Sequence, residues 1–197
     1  MLDAIFDFLL KWMIIFLTGI VVKLMDDYLD QELDKIEGKF TLAVILDKAI
    51  VPYSLLCMVI CMTINPKLAG SLFLASYIIG MGSNLKQRLP LGLSAFQEFV
   101  IFGLFGLIIF GITEMLSSLL IIIFIQFIDD FLDFYSDARF TRRNFVIKFG
   151  FWESAIITLV CLIAGIIFDW EKAVLVSINT PLILYILNHW SKYKKDV

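Results

Sequence analysis

Met115 to Asp137 read MLSSLLIIIFIQFIDDFLDFYSD. From Leu119 to Ile128 the only polar side chain is Gln126, and then Asp129, Asp130, Asp133 and Asp137 arrive within nine positions. A soluble core has no use for an apolar run that stops in a dense acidic tract. A bilayer does, because about 20 apolar residues cross its hydrocarbon and the charged end remains in water.

The rest of the chain has the same character. Of its 197 residues 60% are hydrophobic and 18% charged, with a mean hydropathy of +0.92. Soluble domains average roughly 45–50% apolar and about 25% charged. One soluble core cannot hide this excess, and a disordered tail or a secreted disulfide scaffold is excluded. The net charge of -3 offers a polyanion no basic patch, so no nucleic-acid partner is expected. Cys57, Cys61 and Cys161 are odd in number and lie in apolar runs, so they read as small core residues.

The expected fold is all-α, a polytopic helical membrane bundle forming one integral membrane domain over 1–197. About seven spans are expected: Trp12 to Tyr28, Ala43 to Ile64, Leu68 to Gly82, Leu91 to Ile112, Met115 to Phe134, Phe145 to Phe168, and Lys172 to Trp190. Met1 to Lys11 reads as an interfacial stub, with Asp7 and Lys11 one turn apart. Thirteen of the 16 basic residues flank the loops after the first, third and fifth spans and the C-terminus, leaving Lys11, Lys67 and Lys172 elsewhere. The positive-inside rule then places the C-terminus and those loops in the cytosol of a multi-pass cell-membrane protein.

A second acidic tract ends the first span. Asp26, Asp27, Asp30 and Asp34 repeat the D-D-x-x-D-x-x-x-D pattern of Asp129, Asp130, Asp133 and Asp137, 103 residues earlier. Offsets of three and four keep the last three aspartates of each tract within about 60° of arc, and Gln126 extends the second stripe one turn deeper. A helix C-terminus prefers cations, so these carboxylates sit at the wrong pole and repel one another. A divalent cation relieves that repulsion. Mg²⁺ takes oxygen ligands and commonly binds through a few carboxylates plus substrate phosphates. Two facing stripes would hold a diphosphate between metal ions; the plain alternative is solvated helix caps.

These motifs resemble those of the UbiA superfamily of membrane prenyltransferases. The family's N-D-x-x-D-x-x-x-D matches Asp26, Asp27, Asp30 and Asp34, with Asp26 replacing the leading Asn. Its second motif matches Asp130, Asp133 and Asp137. Its cytosolic L-K-R-x-P-like segment resembles Leu85-Lys86-Gln87-Arg88-Leu89-Pro90, with one residue inserted. The resemblance implies a parallel pseudo-repeat and a cytosol-facing site for a prenyl diphosphate among membrane lipids. In that site Mg²⁺ would be held by Asp27, Asp30, Asp34, Asp130, Asp133 and Asp137. Lys86, Arg88, Arg139, Gln126, Asp26 and Asp129 would contact substrate, and an acceptor of unknown identity would take the prenyl group. A terpene cyclase of the same superfamily, a cation transporter and a non-enzymatic membrane protein are the alternatives. The D-x-x-D-G-x-x-A-R signature of CDP-alcohol phosphotransferases fails at Phe134, Asp137 and Ala138.

Glu98 and Glu153 are intramembrane acids that either line the cavity or pair with a polar neighbour. Asn179 and Asn188 read as interhelical hydrogen-bonding groups. His189 beside Trp190 reads as an interface anchor. Gly103 and Gly106 read as points of close helix packing.

Overall fold

The structure is a computed structural model that describes residues 2–37, 41–81, 88, 92–135 and 144–195. Regular structure among the described residues is entirely helical. In chain order the helices are α1 (Leu2–Leu29), α2 (Gln31–Glu37), α3 (Leu42–Leu46), a 3₁₀ turn (Asp47–Ala49), α4 (Ile50–Ile64), α5 (Pro66–Met81) and α6 (Ala95–Phe110). They continue with α7 (Ile112–Leu132), α8 (Phe145–Phe149), α9 (Phe151–Phe168) and α10 (Trp170–Lys195).

Five stretches are long and apolar enough to cross a membrane: Leu2–Leu29, Leu42–Ile64, Ile112–Leu132, Phe151–Phe168 and Trp170–Leu187. Their surfaces identify the solvent. Only 17% of the Leu42–Ile64 window is buried within the protein, and Leu55, Leu56, Val59 and Ile60 lie exposed along it. Water would not tolerate so large an apolar face; lipid does, and the protein is membrane-embedded. The third and fourth of the seven expected spans correspond to α5 and α6, which are shorter at 16 residues each.

Local chemistry explains most boundaries. Pro66 opens α5, where its missing N–H costs nothing, and the Asn65 side chain accepts from the Leu68 amide at 3.1 Å. Ser94 and Gln97 form a reciprocal capping box on α6. Two expectations need correction. Met1 to Lys11 is not a separate stub, because α1 runs unbroken from Leu2, and no Gly or Pro in that stretch interrupts it. The helix expected over 145–168 is broken at Gly150, whose φ of +103° suits glycine and not an L side chain.

The chain forms two compact units, Met1–Ala69 with Leu175–Val197, and Gly70–Val174. In the first, α1 packs along α4, and Ile183 and Leu187 of α10 meet Leu42 with Phe16, Ile20 and Leu24 against them. In the second, α7 packs along α9, and Ala75, Ile78 and Met115 centre a cluster of α5, α6 and α7. Gly106 allows that approach, since a Cβ there would lie 2.7 Å from Met115 Sδ and 2.8 Å from Leu74 Cδ2. Gly103 does not share that role: a Cβ there would meet nothing within 4 Å.

Candidate functional site

The first acidic motif belongs to the first unit. The α1 helix ends at Leu29, yet Asp30 N donates to Asp26 O at 3.1 Å and Asp34 N to Asp30 O at 2.9 Å. Helical bonding therefore carries across the joint into α2. Lys23 pairs with Asp26 at 3.2 Å and with Asp27 at 3.0 Å. Asp26 is exposed, Asp30 half-buried and Asp34 buried. Between the last two, Gln31 is also buried, and its amide donates to Ala43 O at 3.0 Å and Asp47 Oδ1 at 3.1 Å. Gln31 thus ties the motif to the corner between α3 and α4. The sequence hides this role, because a Gln among carboxylates looks like one more solvated group.

The second motif belongs to the second unit. The α7 helix ends at Leu132, and Asp133 is its cap, with φ −91°, ψ 4° and a bond from its N–H to Asp129 O of 2.9 Å. Asp133 is exposed and Asp129 half-buried. Asp130 is buried and engaged: Oδ1 accepts from Gln126 Nε2 at 3.0 Å and Oδ2 from the Phe145 amide at 2.6 Å. Its carbonyl accepts from Asn144 Nδ2 at 2.7 Å. Arg88 is exposed. Lys86, Asp137 and Arg139 lie outside the described residues.

Beside Asp130 the second unit opens an apolar cleft of about 280 Å³, lined by Ile79, Ile123, Gln126, Phe127, Phe145, Phe149 and Ile157. Three rings make its wall. Phe145 and Phe149 stack at 6.0 Å with planes 6° apart, and Phe127 lies 5.8 Å and 6.5 Å from them. Lys148 Nζ sits 5.7 Å from the Phe149 ring centre. The cleft approaches the roughly 300–1,000 Å³ range of small-ligand pockets. Gln126, Phe127 and Asp130 are within one turn of α7, so an apolar surface and a carboxylate share one edge. Periodicity could place Phe127 near Asp130, but not Phe145 and Phe149, which return from another helix.

Both motifs offer hard carboxylate oxygens, and Mg²⁺ commonly uses one or two carboxylates with phosphates completing its shell. Among the described residues no group of three His, Cys, Asp or Glu side chains is placed to hold a metal ion.

The remaining polar residues divide clearly. Glu98 is buried and accepts from the Tyr77 hydroxyl. Glu153 is exposed. Asn179 is buried, but neither of its amide atoms has a partner among the described residues, which corrects the expected interhelical bond. The side chain of Asn188 lies outside the described residues. His189 is exposed and stacks on Tyr185 at 6.1 Å.

Lys172, which the sequence marks only as a charge on one face, is buried. It is ion-paired to Glu114 and donates to Ser117 Oγ at 2.8 Å. Comparison with protein-family models, with curated proteins and with solved structures returns no match to this chain.

Proposed function

We propose that the chain is a UbiA-like membrane prenyltransferase acting on a prenyl diphosphate. The observation that carries this reading is the aromatic-walled apolar cleft one helical turn from the buried carboxylate of Asp130. A substrate with an isoprenoid tail and a diphosphate head has the same polarity pattern. The seven-span arrangement belongs to the proposal. Here α5 and α6, about 24 Å long at 1.5 Å per residue, cross a locally thinned bilayer. In that topology both acidic motifs lie at cytosolic helix ends.

Asp27, Asp30, Asp34, Asp130, Asp133 and Asp137 would hold Mg²⁺. Bound there, the ion supplies charge neutralisation for the departing diphosphate. Lys86, Arg88 and Arg139 add charge-assisted contacts to the same oxygens. Breaking the bond between the allylic carbon and diphosphate oxygen leaves the electron pair on diphosphate and a cation on the chain. The faces of Phe127, Phe145 and Phe149 stabilise a cation beside them, and their apolar wall keeps water away. The acceptor donates an electron pair to that carbon and gives up its proton.

The test is diphosphate release by the purified protein, with Mg²⁺, from a panel of prenyl diphosphates. Asp30→Asn and Asp133→Asn should each abolish it. The double variant should be hardly worse, because groups acting on one leaving group are non-additive. Release without any acceptor points to a cyclase or a hydrolase instead. Metal flux in vesicles with no diphosphate released assigns a transporter. Full turnover by both single variants rejects the catalytic assignment.

A further inference from the structure

The α8 helix is too short to hold itself. Five residues lie far below the length at which an isolated helix is stable in water, so its position depends on what grips its ends. At one end the grip is Asp130. The Asp130 carboxylate accepts from the Phe145 amide at 2.6 Å, and the Asp130 carbonyl accepts from Asn144 Nδ2 at 2.7 Å. Asn144 Oδ1 in turn accepts from the Ile147 amide at 3.1 Å, capping α8. Asp130 and Asn144 are themselves buried. At the other end is Gly150, in a conformation an L side chain rarely adopts. Phe145 and Phe149, the two rings α8 carries, form one wall of the cleft.

We infer that Asp130 and Asn144 form a clamp that sets the width of the cleft, and hence the length of isoprenoid chain it accepts. Asp130 is then a positioning residue: it holds α8, and α8 holds the wall. The choice of an isoprenoid as occupant rests on the function proposed above, while the clamp itself rests on the bonds just described. A role confined to metal binding would leave the wall untouched when Asp130 is changed. The clamp makes the opposite demand.

The experiment uses the full chain in lipid nanodiscs and two isoprenoid alcohols, farnesol and geranylgeraniol, with affinity read by thermal shift. Neither alcohol carries a diphosphate, so catalysis and metal binding do not enter. Asn144→Ser keeps a side-chain oxygen to cap α8 and removes the amide donor to Asp130. Asp130→Asn provides a second, independent variant. Each should shift the ratio of the two affinities toward the longer alcohol by about tenfold, the low end of what one methylene's fit decides in an apolar pocket. A folded variant of either kind that keeps the wild-type ratio overturns the inference. So does a wild-type protein that binds neither alcohol. If the ratio shifts but no prenyl diphosphate is ever turned over, the transferase reading fails and the clamp stands.

Discussion

Glu114 and Lys172 should show a strongly asymmetric response to removal. Lys172 is 2% exposed at its side chain and Glu114 34%. Without Lys172, the carboxylate can turn to solvent. Neither serine loses its own bond, because Ser117 donates to Glu114 O at 3.0 Å and Ser118 to Ser71 Oγ at 2.8 Å. Lys172→Met should therefore cost about 1 kcal/mol, the net value of an ordinary hydrogen bond. Glu114→Ala instead leaves an ammonium buried, with Asp169 Oδ2 at 3.8 Å. Breaking a buried pair from one side costs about 3–5 kcal/mol, and partial help from Asp169 puts the expectation near 3. The double variant Glu114→Ala with Lys172→Met should be more stable than Glu114→Ala alone, since the stranded charge is gone. Unfolding in mixed micelles titrated with SDS gives the four stabilities of the cycle. A double variant less stable than Glu114→Ala would refute the account of a buried ammonium that needs its partner.

Other expectations follow from single positions. Gly106→Val should destabilise by about 1–3 kcal/mol through overpacking against Met115 and Leu74. Gly103→Ala, with open space around it, should be neutral or stabilising by up to about 1 kcal/mol on helix propensity, both read in the same micelle titration. Gly150→Ala should lose about 1 kcal/mol or more, because φ of +103° strains any L side chain, and the loss should be visible as a lowered Tm. Single cysteines placed at Ser136 and Asn65 should label from opposite sides of the membrane; labelling from one side rejects the seven-span topology. A shared site requires the Asp30 and Asp133 carboxylates to lie within about 10–12 Å, the reach of two metal ions and a diphosphate, and a much longer distance in an experimental structure of the closed, ligand-bound state rejects it.

Hydropathy was sufficient to show that the chain is helical and membrane-embedded. In a bilayer every backbone polar group must be satisfied internally, so long apolar runs can only be helices, and α7 and α9 appear close to where their apolar residues begin and end. The breaks were legible only in part. Asn65-Pro66 announces a boundary by its chemistry, whereas Gly150 is one glycine among many until its backbone angle is known. The acidic tracts were visible as patterns of equal spacing, but spacing treats every aspartate alike. Tertiary contacts distinguish them: Asp133 caps a helix in the open, while Asp130 is buried and holds the start of α8. The cleft lay beyond sequence reading for a related reason. Its wall joins Phe127 to Phe145 and Phe149, and periodicity reports which residues share a helix face, not which faces meet. Lys172 makes the same point from the other direction. Its charge was plain in the sequence, but only the packing of α7 against its surroundings takes that charge out of water and gives it a partner.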